Sequence, residues 1–253
     1  MAEGDLRVTD PLFLGDVDGA AVGGIVELTG DEARHAVTVK RLRVGESTLI
    51  ADGDGHAVRG TVVGTDKALL RIEVTELLQA PPRNHRVTVV QALAKGDRAE
   101  LAVETMTELG VDEILAWQAS RSIVRWQGER GSRSLAKWQA TAREAAKQSR
   151  RFTVPSVGFA SSTDVTQRMS AAAAVLVLHE DATTWLREVL LPPAGEILLV
   201  VGPEGGISPE EMARFTAAGG TPVLLSDGVL RTSTAGAAAL AQLEVLLGQA
   251  VGS

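Results

Sequence analysis

The chain has 253 residues, 45% hydrophobic and 23% charged, with a formal charge of −7, a composition that predicts a soluble globular protein of one large domain or two ordinary ones. Cysteine is absent, which excludes disulfides, thiolate catalysis and cysteine zinc sites; the four histidines, His35, His56, His85 and His179, are scattered, so no metal is expected. No apolar run reaches the roughly 18 residues of a membrane helix. The opening MAEGDLRVTD has neither a basic nor an apolar leader region, so no membrane association and a cytoplasmic location are expected.

From Leu6 to Glu76 the pattern is short and β-rich. GGIVELTG reads as a strand, and DEARHAVTVKRLR as a helix that starts at Asp31 and is ended by Gly45. STLIADG, AVRGTVVG and ALLRIEVTELL then follow as three alternating runs separated by Asp-Gly and Gly-Thr-Asp turns. A small antiparallel barrel with one helix closes this pattern without leaving exposed edges. Pro81-Pro82-Arg83-Asn84 cannot continue a ladder, and it sets a boundary between domains 1–80 and 81–253.

Beyond it, VTVVQALA is an apolar run suited to a strand buried on both faces. Lys95-Gly96-Asp97 leads into a helix through Leu109, with Gly110 at its C′ position. VDEILAWQA is the next strand, a helix is expected over about Ser134 to Ser149, and Val154-Pro155-Ser156-Val157 is extended. AAAAVLVLHE, ILLVVG and TPVLLS add three strands, each followed by a loop and helix. Strand and helix in alternation predict an α/β domain with a mostly parallel sheet.

The charge is uneven. Residues 1–80 carry 8 Lys/Arg against 14 Asp/Glu, whereas residues 120–151 carry 9 Lys/Arg against Glu129 and Glu144. The overall charge argues against a nucleic-acid partner and the basic segment argues for one. Arg121, Arg125, Arg143, Gln148, Arg150 and Arg151 are its candidate RNA contacts, with Arg34, Lys40, Arg41 and Arg43 on the first-domain helix. Trp126 either stacks on a base or fills the core, and with few aromatics in the chain core packing is favoured.

Two loops carry the chemistry. In GPEGGISPEE, Ser208 is an N-cap, Pro209 sits at N1 and Glu211 completes a capping box, while Gly202, Gly205 and Gly206 leave room for a ligand against the backbone. The acidic Glu204, Glu210 and Glu211 are hostile to a phosphate, and neither a dinucleotide fingerprint nor a Walker loop is present. The loop is then either a backbone-lined ligand site or a tight turn with no ligand. LLSDGVLRTSTAGAAAL places Arg231 at the mouth of an almost wholly apolar helix, which must be buried in the core or against another subunit. Arg231 there is either functional or simply solvated.

LLVVGPEGGISPEE followed by LSDGVLRTSTAGAAAL resembles the paired signature of the SPOUT methyltransferases and, more narrowly, of the RsmE family, which methylates N3 of a uridine in 16S ribosomal RNA. The run from His35 to Gly45, Lys95-Gly96-Asp97, Glu108-Leu109-Gly110-Val111 and the stretch from Trp138 to Pro155 are similar to further family motifs, so the resemblance spans nearly the whole chain. One departure stands out: the family's arginine loop more often reads Leu-Arg-Thr-Glu-Thr-Ala, and Ser233 stands in place of the glutamate.

The resemblance implies an N-terminal PUA-like β-barrel domain that binds RNA and a C-terminal α/β trefoil-knot methyltransferase domain. It implies S-adenosylmethionine as cofactor, 16S rRNA or the small ribosomal subunit as partner, and a homodimer. The cofactor residues that carry over are Leu178, His179, Gly202, Pro203, Glu204, Gly206, Ile207, Leu225, Val229, Leu230, Thr232 and Thr234. Arg231 is the candidate to stabilise charge on the deprotonated uracil, or else to orient a phosphate. Glu204 is a candidate base that serves equally to hold the cofactor, and His179 is another possibility. The competing readings are an RNA-holding module without activity, to which Ser233 points, and a dinucleotide-dependent dehydrogenase, which lacks its phosphate loop.

Overall fold

The computed structural model describes residues 10–96 and 98–249. Leu6–Thr9, at the head of the β-rich pattern, and Asp97, in the turn before the second-domain helix, lie outside the described residues. The chain divides into two units, one holding the described residues up to Pro81 together with Ala146–Val154, the other Pro82–Ala145 and the described residues from Pro155. Residues 146–154, placed by the linear reading in the second domain, thus group with the first unit.

In the first unit β1 (Leu12–Leu14), β2 (Ile25–Thr29), β3 (Ser47–Ala51), β4 (His56–Asp66) and β5 (Leu69–Gln79) form a five-stranded sheet in the order β1-β3-β4-β5-β2. β1 runs parallel to β3, so the sheet departs from the fully antiparallel pattern expected; its other neighbours are antiparallel. Phe13, Leu28, Ile50, Val62 and Ile72, one from each strand, meet in a single core, so the sheet curls around it. The opposite face, at Leu12, Leu14 and Leu49, is covered by Phe152 and Val154, and the Val154 N–H donates to Gly53 O at 2.8 Å. Those contacts are what draws residues 146–154 into this unit. Lys147, 7% exposed, reinforces them through its Nζ, 2.9 Å from Glu32 Oε1.

The first-unit helix is shorter than expected. α1 (Gly30–Arg34) passes into a π-helical turn over His35–Val39, closed by Lys40 N–H on His35 O, and Arg41 at φ 57° ends it. The wider turn keeps Ala33 and Ala36 in the core and returns Leu42 to it. Arg41 and Arg43 therefore stand beyond the helix rather than on it.

The second unit contains β6 (His85–Ala92), α2 (Arg98–Glu108), β7 (Glu113–Trp117), α3 (Gly128–Gln148), β8 (Ser156–Ala160), α4 (Ser162–Met169), β9 (Ala174–Leu178), β10 (Gly195–Val201), α5 (Pro209–Ala217), β11 (Thr221–Val223) and α6 (Thr232–Gln249). Its six strands are all parallel, in the order β11-β9-β10-β6-β7-β8. Alternation along each strand feeds both faces. Val87, Val89, Leu199 and Val201 pack under α2, α3 and α6, while Val90, Ala92, Leu198 and Val200 pack under α4 and α5. Gly110, at φ 90°, ends α2 as its C′ residue. α3 starts at Gly128, earlier than the expected Ser134, and takes in Gly131, which lies against Trp126 where a Cβ would come within 3.1 Å of its backbone. That glycine serves packing rather than a loop. No described helix is long and apolar enough to cross a membrane.

α5 begins as its sequence predicts. Ser208 caps it, Pro209 opens it, and Glu211 completes the capping box. Glu211 does more than cap: it is 1% exposed. Its Oε1 accepts from the Ser120 N–H at 2.9 Å and Ser162 Oγ at 2.8 Å, and its Oε2 from Ser120 Oγ at 2.8 Å and the Ser208 N–H at 3.4 Å. Burial raises the pKa of this carboxyl, but the hydrogen bonds from Ser120, Ser162 and Ser208 outweigh it and hold the group below its ordinary 4.5. A depressed carboxyl contributes stability that is complete above its unfolded value and is lost as pH falls through the folded one. Glu211→Gln should therefore cost roughly 1–3 kcal/mol near neutrality, because the amide cannot accept at every donor. In thermal melts the gap between wild type and variant should shrink below pH 4.5; a gap that widened in acid would refute this account.

Candidate active site

β9, β10 and β11 lie side by side, and their carboxyl ends open on a cavity of about 1260 Å³. This is the edge at which open α/β sheets bind ligands. Three stretches supply most of its walls: Leu178–Asp181 after β9, Gly202–Ile207 after β10, and Leu224–Ser233 after β11, from which Asp227 alone is missing.

The glycine loop is folded on itself by the Gly206 N–H donating to Pro203 O at 2.9 Å, with Gly206 at φ 72°, a conformation that suits a residue without Cβ. Arg121 Nη1 donates to Gly205 O at 3.3 Å, tying the loop to the turn after β7. The other two walls are laced together: the His179 N–H donates to Val223 O, the Leu224 N–H to Thr184 O and the Leu186 N–H to Leu224 O. Thr232 Oγ1 donates to Gly202 O at 3.1 Å, which joins the arginine loop to the glycine loop. The backbone N–H groups of Glu204, Ile207, Val229 and Leu230 have no partner among the described residues. Val229 is 78% exposed, so the rim offers apolar surface beside unspent backbone donors.

Charges of both signs face this space: Glu180, Asp181 and Glu204 against Arg98, Arg121 and Arg231. The Arg231 guanidinium is exposed and makes no hydrogen bond or ion pair among the described residues. His179 Nδ1 accepts from the Asp181 N–H at 3.2 Å, so a neutral ring carries its proton on Nε2 and presents a donor there, which does not suit it to remove a proton. Among the described residues no three His, Asp or Glu side chains gather in a metal-holding group.

The structure brings together Leu178, His179, Gly202, Pro203, Glu204, Gly206, Ile207, Leu225, Val229, Leu230, Arg231 and Thr232 around the cavity, and leaves Thr234 out, exposed on the first turn of α6. Ser233 lines the cavity where a carboxylate was expected. Of the candidate RNA contacts in the second unit, Arg121 reaches the cavity, Arg125 donates to Ser120 O at 2.9 Å outside it, and Arg143 is exposed. In the first unit Lys40, Arg41, Arg43 and Gln148 are exposed, Arg34 pairs with Asp31 at 2.7 Å, Arg150 is half-buried, and Arg151 donates to Thr153 Oγ1. Trp126 is half-buried, edge-on to Trp138 and stacked on Phe159, as core packing requires. Arg98 was missed by sequence reasoning. Its signal was a cation in the first turn of a helix, where the dipole disfavours one.

The chain matches a family model described as an RNA methyltransferase domain over residues 81–244, and one described as an RNA methyltransferase PUA domain over residues 28–75. Ribosomal RNA small subunit methyltransferase E of Mycobacterium tuberculosis is 46% identical over 229 residues, 88% of this chain and 87% of its own. Its namesake from Bacillus subtilis is 32% identical over 236 residues, 87% of this chain and 91% of its own. In three dimensions the chain is similar to ribosomal RNA small subunit methyltransferase E from Neisseria gonorrhoeae, solved bound to S-adenosyl methionine, with a TM-score of 0.82 at 28% identity over 94% of this chain and 98% of that one. With the domain model, the sequence relatives and the solved fold in agreement over most of its length, the chain belongs to the ribosomal RNA small subunit methyltransferase E family.

Proposed function

We propose that the protein transfers a methyl group from S-adenosylmethionine to N3 of a uridine in the 16S RNA of the small ribosomal subunit. The enzyme class follows from the family; the uridine and its N3 rest on the motif resemblance. The observation that carries the reading is an arginine, with no side-chain partner among the described residues, at the rim of a cavity whose walls are largely backbone.

The cavity suits the cofactor chemically. Unpaired N–H groups at Ile207, Val229 and Leu230 fit a purine edge, and Glu180, Asp181 and Glu204 fit the positive charges of a sulfonium and an ammonium group. A volume above the ~300–1,000 Å³ of an ordinary small-molecule site leaves space for a nucleotide as well. When bound, S-adenosylmethionine supplies an electrophilic methyl group. Uridine N3 is an imide nitrogen between two carbonyls, so loss of its proton spreads negative charge onto O2 and O4. Arg231 stabilises that charge, with a guanidinium that is committed to no partner among the described residues. Glu204, exposed on the glycine loop, either accepts the proton or holds the cofactor.

Leu178, His179, Gly202, Pro203, Glu204, Gly206, Ile207, Leu225, Val229, Leu230 and Thr232 form the proposed cofactor site. Arg34, Lys40, Arg41, Arg43, Arg121, Arg125, Arg143, Gln148, Arg150 and Arg151 remain the proposed RNA contacts. Trefoil threading of the chain around the three walls, a homodimer in which α6 takes part, and work in the cytoplasm belong to the same reading.

Incubating undermethylated small subunits with the protein and S-adenosylmethionine, then mapping the 16S RNA by mass, should reveal one new methyluridine; its absence would sink the proposal. Arg231→Ala should slow single-turnover transfer by roughly 10²–10³-fold while cofactor affinity by calorimetry changes little. Arg231→Lys should recover only part of the rate, because it restores the charge without the fork. Transfer near the wild-type rate in Arg231→Ala would remove Arg231 from the mechanism.

A further inference from the structure

We propose that Gln91 is a positioning residue for methyl transfer, whose buried side-chain amide fixes the Thr232 carbonyl and so sets where Arg231 stands at the cavity rim. The inference rests on the role given to Arg231 above.

Gln91, near the carboxyl end of β6, is 0% exposed; Thr88 is the other buried polar residue of the strand, and its Oγ1 is paired with Glu196 Oε1. Its Nε2 donates to Ala92 O at 3.2 Å and to Thr232 O at 3.3 Å. Two carbonyl acceptors fix the orientation of the amide, since an oxygen turned the same way would face two other oxygens. The Oε1 is then left without a partner among the described residues. It faces α6 near its start, where a Cβ on Gly236 would come within 3.3 Å of it. An unpaired buried acceptor destabilises the fold, and an apolar side chain of the same length would avoid that cost. Packing alone therefore does not account for a glutamine here.

What the glutamine holds is the residue that follows Arg231. Thr232 is gripped twice, through its carbonyl by Gln91 and through its hydroxyl by Gly202 O. The Arg231 carbonyl accepts from the Thr234 and Ala235 N–H groups at 2.8 and 2.9 Å. On its other side Val229 and Leu230 make no backbone hydrogen bond among the described residues. Arg231 thus has an anchored side and a free one, and Gln91 belongs to the anchor. Of its ties, the one from Gln91 reaches across from a different strand, which is the kind of support that holds a catalytic group to sub-ångström tolerance.

Gln91→Met keeps length and burial while it removes both the donor and the orphaned acceptor. The expected result is a melting temperature at or above that of the wild type, unchanged cofactor affinity by calorimetry, and single-turnover methylation slowed about ten- to hundredfold. In an Arg231→Ala background the same change should slow the reaction no further, since the two act as one unit. Gln91→Leu, measured alongside, guards against a misfit peculiar to methionine. Wild-type turnover in a folded variant overturns the proposal, and so does equal slowing in both backgrounds. A lowered melting temperature in both variants also overturns it, by showing a structural role. If Arg231→Ala itself turned over at the wild-type rate, the reading of Arg231 would fail first, and the inference with it.

Discussion

A single buried carboxylate organises the second unit around its cavity. Glu211 makes no ion pair among the described residues; its charge is held by four donors from Ser120, Ser162 and Ser208 that converge on it. The donors come from three stretches of chain: the turn after β7, the start of α4 and the cap of α5. Desolvating a carboxylate without this degree of satisfaction would cost several kcal/mol, so the three segments are held in mutual register or the charge is not tolerated. The functional consequence lies one residue away on two sides. Ser120 precedes Arg121, which ties down Gly205, and Ser208 follows the glycine loop itself. The loop is thereby braced by its neighbours on either side, and its own N–H groups at Glu204 and Ile207 make no hydrogen bond among the described residues.

The same economy recurs at the arginine loop. Its fixed points all face inward: Leu225 O accepts from Gln242 Nε2, Thr232 bonds to Gly202, and Gln91 bonds to Thr232. Between those points, Val229 to Arg231 present backbone donors, apolar surface and one guanidinium to the cavity. A loop pinned at both ends and bare in the middle loses little conformational freedom when it closes on a ligand, which is the condition for tight and well-oriented binding. Ser233 fits this arrangement without the carboxylate that the motif resemblance led one to expect. It is 7% exposed on the cavity wall, where it adds no negative charge beside Arg231.

Charge bookkeeping along the chain overstates the RNA surface. The run of cations over residues 120–151 looks like one basic face, yet Arg121, Arg125, Lys137, Lys147 and Arg151 each have a structural partner. These bonds serve loop closure and helix docking before they serve a phosphate. An exposed arginine bonded to a single carbonyl keeps donors to spare, as Arg121 and Arg125 do, whereas Lys147 in its buried pair does not. Affinity for RNA in a protein of charge −7 then depends on a few well-placed cations rather than on a field from the whole segment.

These distinctions mark what was legible in the sequence. Local signals were reliable: the Ser208–Pro209–Glu211 helix start, Gly110 at the end of α2, and the apolar runs of the parallel strands all arise from interactions within a few residues, and periodicity and capping chemistry report such interactions directly. Two of the cavity's walls could be read from their glycines and the third from family motifs, because each wall is continuous in the chain. What escaped depends on partners far away in sequence. The parallel pairing of β1 with β3, the docking of residues 146–154 on the first unit, and Gln91 reaching Thr232 across 141 positions leave no periodic trace. Glu211 is the instructive case. Its position as a capping residue was legible, but its burial was not, and it is burial that turns a cap worth about 1 kcal/mol into the support of a binding loop. A carboxylate at N3 of a helix looks the same in sequence whether it faces water or three serines, so its role could be recognised only once Ser120 and Ser162 stood beside it.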